Sequence, residues 1–346
     1  MTFDAATRVL DDAITERVFP GAVVEVGTSA GPVATLARGA LTYDEGASPV
    51  SASTIYDLAS LTKVLATSAI AAQQVSARLL SLDAPVSTWS EGWSGPDRKA
   101  VTIRHLLEHA SGLPAHRPWF MAHRGRAAYE RAIAQEALIY PPGTQSVYSD
   151  AGFILLGLIL ERAGGGTLDA QFDAWRTSAL GTGVAMRYLP PEGWLARTAP
   201  TEADPWRGRT LVGEVHDENA AALGGVAGHA GLFGTAAAVG LAARWWMADA
   251  ARSPVVAAFM RRGEVPGSSR ALGWDTALPT SSCGTRMSPT AAGHTGFTGT
   301  SLWIDRERDV YVVFLSNRVH PSRDGDAMAR VRPALHDAVA DDLSRG

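Results

Sequence analysis

A serine stands three residues ahead of a lysine in an apolar stretch, Tyr56-Asp57-Leu58-Ala59-Ser60-Leu61-Thr62-Lys63-Val64-Leu65-Ala66-Thr67. Positions three apart share a helix face, so the Lys63 amine is expected beside the Ser60 hydroxyl. A serine hydroxyl is a weak nucleophile until a neighbour takes its proton, and an amine at this spacing is one solution. Lys63 and Lys99 are the only lysines among 31 basic residues; the others are arginine. An amine can lose its proton and a guanidinium cannot, which singles out Lys63 as a group suited to proton chemistry.

Two further phrases carry reactive side chains. Pro142-Gly143-Thr144-Gln145-Ser146-Val147-Tyr148-Ser149-Asp150 sets a phenol and an acid two apart, just ahead of an apolar helix. A phenol there relays protons if a nearby ammonium lowers its pKa; otherwise Tyr148 is a half-buried ring and Asp150 an N-cap. Gly293-His294-Thr295-Gly296-Phe297-Thr298-Gly299-Thr300 reads as a glycine-rich strand edge, of the kind a ligand can approach closely. A different chemistry is written in His105-Leu106-Leu107-Glu108-His109, two histidines four apart on a helix expected over 101–110, with a glutamate beside them. This is the pattern of an inverted zinc-hydrolase motif, in which zinc would activate water and Glu108 would act as base. It would need a third protein ligand from elsewhere in the chain.

The elements that must position these residues follow from periodicity and punctuation. Val9, Leu10, Ala13, Ile14 and Val18 recur at helical spacing up to Pro20-Gly21, and 22–26 and 33–37 read as a hairpin of two strands. A helix is expected to place Ser60 near its first turn and to run to about residue 77. Free backbone N–H groups at such a helix start can stabilise an oxyanion. From about 80 to 250 the text is helix-rich and broken by glycine and proline, with helices at 127–138, 151–163 and 235–250. Strands return at 271–275, 293–297, 302–305 and 310–315, and a helix at 327–343 closes the chain. These elements predict an α/β (α+β) fold. An antiparallel sheet built from both ends of the chain (1–78 and 251–346) is flanked by helices and interrupted by a mostly helical insert at 79–250.

With 46% hydrophobic and 19% charged residues and a formal charge of -4, the chain has the balance of a globular protein without the basic excess of a nucleic-acid binder. The single cysteine, Cys283, excludes an internal disulfide and a cysteine-rich zinc site. No run approaches 18 apolar residues, and Asp4, Asp11, Asp12 and Glu16 interrupt the N-terminus. The expectation is a cytoplasmic protein with no membrane segment, unless a leader was removed.

Ser60-x-x-Lys63, Tyr148-Ser149-Asp150 and His294-Thr295-Gly296 resemble, in order and spacing, the three signatures of the serine beta-lactamase and penicillin-binding protein superfamily. The class C beta-lactamase-like group, which includes D,D-peptidases and esterases, is most similar. His109-Ala110-Ser111-Gly112-Leu113-Pro114, His216-Asp217-Glu218-Asn219-Ala220 and Gly228-His229-Ala230-Gly231-Leu232-Phe233 look like that group too. The resemblance implies Ser60 as acylated nucleophile, Lys63 as its base or as a charge that activates the base, and Tyr148 as proton relay. It also implies an oxyanion hole from the backbone N–H groups of Ser60 and Phe297, no cofactor, and a small-molecule or short-peptide substrate lying along the strand of His294, Thr295 and Gly296.

Two positions depart from the family pattern. Asp150 replaces the usual asparagine and His294 the usual lysine. A carboxylate close to Lys63 favours the ammonium, weakens the amine as a base and shifts proton transfer toward Tyr148. A neutral His294 anchors a substrate carboxylate poorly. The reading is therefore a serine hydrolase acting on an ester or amide through an acyl-serine, with slow turnover of beta-lactams. The alternatives are a penicillin-binding D,D-carboxypeptidase or a true class C beta-lactamase, then the zinc hydrolase of His105, Glu108 and His109, then a binding module that has lost its chemistry. His216, Asp217 and Glu218 read either as pocket lining or as a loop-fixing cluster, and His229 marks a tight loop near the site. The tryptophans read as core packing or cleft walls.

Overall fold

The apolar stretches near the two ends of the chain form the centre of one sheet. Residues 2–345 are described in a computed structural model of the protein. From the N-terminal side come helix α1 (Asp4–Thr15) and strands β1 (Gly21–Thr28) and β2 (Gly31–Gly39). A small three-stranded sheet pairs β3 (Tyr56–Asp57) and β4 (Met186–Tyr188) with β7 (Leu232–Gly234), and β5 (Ala203–Asp204) pairs with β6 (Arg209–Thr210). The C-terminal side adds β8 (Asp275–Thr276), β9 (Ala292–Gly296), β10 (Thr300–Asp305) and β11 (Val310–Ser316). The main sheet is antiparallel in the order β2-β1-β11-β10-β9-β8, with residues from opposite ends of the chain paired at its centre, as in Val24 opposite Phe314.

Alternation along the central strands makes the two faces. Val24, Val26, Val312 and Phe314 pack toward α1 and the last helix, against Leu10 and Leu335. Val23, Val313 and Leu315 point the other way, into the larger core with Val239 and Trp246. Each such side chain contributes roughly 1.5–3 kcal/mol by burial, and a one-residue slip would exchange the two sets. Glu25 is also buried on the larger-core face, where its Oε1 accepts the Tyr311 hydroxyl at 2.9 Å.

The remaining helices are α2 (Ser68–Ser76), α3 (Ile103–Leu107), α4 (Arg126–Gln135), α5 (Asp150–Gly164), α6 (Leu168–Ala179), α7 (Glu218–Ala222), α8 (Ala236–Arg252), α9 (Pro254–Phe259) and α10 (Met328–Arg345). The axis of the helical region is α5, buried at every position from Ala151 to Leu160. Ser149 caps it by accepting the Gly152 N–H, and left-handed Gly165 ends it. Its apolarity belongs to a core helix; among the described residues no single helix is long and apolar enough to cross a membrane.

Two expectations of local structure need correction. The helix read over 101–110 is only Ile103–Leu107, because His109 takes a left-handed φ of 55°. The strand read at 271–275 is reduced to Asp275–Thr276, since Gly273 turns at φ 89°. Helix α8, counted with the insert by position, lies against β1, β10 and β11. We propose a division that gives 236–252 to the sheet unit.

His336 on α10 is buried with neither ring nitrogen partnered, and burial, with the nearby Arg332 charge, lowers its pKa to about 3. Between that value and the ordinary 6.5 the unfolded chain binds the proton that the folded chain refuses, so stability falls as pH falls through this window. Urea unfolding at pH 7 and pH 5 is expected to show a drop in midpoint that is smaller in His336→Leu than in the wild type. An identical drop in both would contradict this.

Candidate active site

Ser60 lies one residue ahead of the helical segment that begins at Leu61, beside its first turn. Ala59 before it has φ 47°, a conformation that costs a non-glycine residue roughly 1–3 kcal/mol. The buried Asp57 holds this bend. Its Oδ1 accepts the Ala59 N–H at 2.8 Å and its Oδ2 the His216 N–H at 2.7 Å. After Ser60 the chain forms a π-helical turn, Lys63–Thr67, closed by the Ser68 N–H on the Lys63 carbonyl. Such turns are frequent at functional sites.

Lys63 is fully buried, and its three ammonium protons have three acceptors. These are Ser60 Oγ at 3.1 Å, Asp150 Oδ1 at 2.8 Å and the His229 carbonyl at 3.1 Å. Burial alone would lower its pKa, but the Asp150 charge, aided by Tyr148, outweighs burial and holds it above the usual lysine value. The Tyr148 hydroxyl donates to Ser60 Oγ at 2.7 Å. Its own pKa is raised, because burial exceeds the lowering effect of Lys63. The ammonium is at hand, but it does not make this phenol acidic.

His109 supports the tyrosine from behind. Its ring packs between Tyr148 (4.7 Å) and Phe153 (4.9 Å), and its Nδ1 accepts the Ser149 N–H at 3.0 Å. His105 is used elsewhere, its Nδ1 accepting the Thr102 N–H at the start of α3. Since α3 stops at Leu107, the two histidines share no helix face. Among the described residues no three His, Cys, Asp or Glu side chains group as metal ligands. The zinc reading thus loses both its helix and its third ligand.

The third motif meets the first along β9. A Cβ on Gly296 would lie 2.8 Å from the Leu58 carbonyl, so only glycine lets the strand come this close. Thr298 and Thr300 donate hydroxyls to the Asp57 and Leu58 carbonyls at 2.8 and 3.1 Å, pinning the end of β9 beside the Ser60 bend. Among the described residues, the amides of Ser60 and Phe297 donate to no protein acceptor. His294 is buried, and burial, with the Lys63 and Arg270 charges, drives its pKa well below the imidazole norm. It is neutral, with Nδ1 2.7 Å from the Thr295 carbonyl and Nε2 unpartnered.

A cavity of about 900 Å³ opens on this group, lined by Ser60, Tyr148, Asp150, His294, Thr295 and Phe297. His216, Asp217 and Glu218 also line it. His229 is set behind the wall, pairing Nε2 with Asp217 at 2.7 Å while its carbonyl holds Lys63. Burial would raise the Asp217 pKa, but His229 holds it below the usual carboxylate range. Sequence reasoning missed the arginines of the wall, Arg270, Arg318, Arg323 and Arg332. In a chain that uses arginine almost everywhere, nothing local marks these four.

The Beta-lactamase family model matches residues 6–336. This chain belongs to the beta-lactamase family. An Escherichia coli K12 protein, provisionally named a D-alanyl-D-alanine carboxypeptidase, is 30% identical over 309 residues, 79% of this chain and 71% of the relative. Among solved structures, a class C beta-lactamase from Rhodobacter sphaeroides superposes with TM-score 0.78 at 21% identity, over 98% of this chain and 99% of that one. EstCE1, a hydrolase with promiscuous acyltransferase activity, superposes with TM-score 0.76 at 22% identity, covering 97% and 98%. The beta-lactamase-family chain is thus a hydrolase of this superfamily, and its mixed sheet and helix architecture is the family fold.

In this beta-lactamase-family site, Asp150→Asn keeps a hydrogen-bonding group beside Lys63 and removes the charge that sustains the ammonium. Burial is then opposed only weakly, and the Lys63 pKa falls. The expected outcome is a pH profile of kcat/KM displaced toward acid by more than about one unit, a 1.36 kcal/mol change. Superposable wild-type and Asp150→Asn profiles would contradict the assignment.

Proposed function

We propose that the protein hydrolyses esters or amides through a covalent acyl-Ser60. The carrying observation is that Ser60 Oγ is held at once by Tyr148, at 2.7 Å, and Lys63, at 3.1 Å, at the floor of the cavity. Because Asp150 keeps Lys63 protonated, the amine supplies charge and Tyr148 moves the proton. Ser60 Oγ attacks the acyl carbon, and as its proton passes to the Tyr148 oxygen the phenol's own proton passes in concert to the leaving heteroatom, whose bond to the acyl carbon breaks to release an alcohol or amine. Water then attacks the acyl carbon of the acyl-serine, its proton passing to the Tyr148 oxygen in concert with return of the phenol's proton to Ser60 Oγ, and the bond to Ser60 breaks to release the acid. The free N–H groups of Ser60 and Phe297 are the donors for the tetrahedral oxyanion.

A neutral His294 supplies no cation to the substrate, which favours acyl substrates without an obligatory carboxylate and slow nitrocefin turnover. One observation favours the second reading, a D,D-carboxypeptidase. Arg270 lines the same cavity above the Tyr148 ring, with its nearest carboxylate, Asp275, at 3.9 Å. It offers a guanidinium to a peptide carboxylate.

Intact-protein mass after incubation with a fluorophosphonate, and separately with benzylpenicillin, tests both readings on wild type and Ser60→Ala. The expected result is a Ser60-dependent fluorophosphonate adduct without a lasting penicillin adduct. A stable penicillin adduct would transfer the assignment to the D,D-peptidase. No Ser60-dependent adduct from either reagent would overturn the acyl-serine mechanism.

A further inference from the structure

The Gly296–Phe297 peptide is gripped at its carbonyl end by a cation. Arg332, on α10, donates from Nη2 to the Gly296 carbonyl at 2.7 Å and to the Thr300 carbonyl at 3.1 Å. Gly296 O belongs to the same planar group as the Phe297 N–H, so fixing one end orients the other. From the next residue, Phe297 O accepts Arg318 Nε at 2.9 Å, and the Arg318 guanidinium lies 4.5 Å from the Phe297 ring. His216 stacks on that ring at 5.7 Å.

Closing the turn does not require this charge. The Gly299 N–H already reaches the Gly296 carbonyl at 3.1 Å, and a neutral donor would serve as well as a guanidinium. Every hydrogen bond of Arg332 and Arg318 goes to a backbone carbonyl, and Arg332 Nε is buried without a partner. Burying a cation without a counter-ion is costly. Burial and the Arg318 charge lower the Arg332 pKa to about 10, which still leaves it a cation at neutral pH. What the charge does accomplish is to polarise the amide. A charge-assisted bond to the carbonyl strengthens the N–H on the other end of the same peptide, by roughly 10–30% per bond in a chain of hydrogen bonds.

We propose that Arg332 is a positioning residue of the oxyanion hole, orienting and polarising the Gly296–Phe297 peptide so that its N–H meets the developing oxyanion as a strengthened donor. This rests on the acyl-serine reading above. The Arg318–Phe297–His216 stack holds the side chain of the same residue in place.

The test compares wild type, Arg332→Met and Arg332→Lys for hydrolysis of p-nitrophenyl butyrate and for affinity toward phenylboronic acid, which forms a tetrahedral anion on the serine. Loss of a whole oxyanion donor costs about 10²–10³ in kcat, so weakening one is expected to cost about 10- to 100-fold in Arg332→Met. KM should stay within about twofold, since the interaction is made in the transition state. Boronate affinity should fall by a factor similar to that in kcat/KM, with partial recovery in Arg332→Lys. A folded Arg332→Met with wild-type kcat, or a kcat loss with unchanged boronate affinity, would overturn the proposal. If Arg332→Met does not fold, Arg332→Lys carries the same comparison. A smaller parallel loss supports the proposal, and boronate affinity equal to wild type refutes it. Fluorophosphonate labelling of the variants separates this from the parent reading. Labelling at Ser60 in all three leaves the acyl-serine standing whatever Arg332 does, and its absence from wild type removes that reading itself.

Discussion

The buried pairing of Lys63 with Asp150 is the contact on which the site depends. An ammonium in a dry interior would ordinarily give up its proton, and here a carboxylate at 2.8 Å prevents that. The consequence reaches the adjacent groups. Lys63 uses its other two protons on Ser60 Oγ and the His229 carbonyl, so one cation fixes the serine hydroxyl and ties down the 229 loop. Such a pair adds little to stability compared with an apolar replacement, yet breaking it by removing one partner costs roughly 3–5 kcal/mol. Its value lies in the arrangement it enforces, with a charged amine and a phenol both donating to one serine oxygen.

Three segments distant in the chain must meet for this to happen, and each is held by a different device. The Ser60 bend is fixed by the two bonds of Asp57, which offset the strain at Ala59. Tyr148 and Asp150 arrive on the capped start of α5, backed by the His109 ring. The β9 edge is pulled onto the bend by Thr298 and Thr300, at a distance only Gly296 permits. The main sheet and α5 are therefore the rigid frame, and the reacting groups sit where their ends converge.

Much of this was legible in the sequence because it is local. Short apolar runs beside turn residues marked the strands at both ends, a longer apolar run marked α5, and the three motifs stood in order. Asp150 beside Lys63 was implied by the family resemblance, and a neutral His294 by residue type. What was not legible depends on contacts across the chain. The left-handed turns at Ala59 and His109 occur at residues that do not announce them, so the strained bend before Ser60 went unseen and His105 and His109 were placed on one face. The raised pKa of Tyr148 comes from burial, which spacing does not reveal. Arg332 bonds a carbonyl 36 residues away, and no periodicity marks a side chain whose partner is another segment's backbone.

The protonation state of Lys63 in the resting protein is the most direct test of the account. Because Lys63 and Lys99 are the only lysines, lysine labelled at the ε-carbon gives two NMR signals, and Lys63→Ala assigns them. The account predicts that the Lys63 signal keeps its ammonium shift up to and beyond pH of about 10.4, the ordinary lysine value. A Lys63 signal that titrates near neutrality would contradict it, making the amine the base and leaving Tyr148 a bystander.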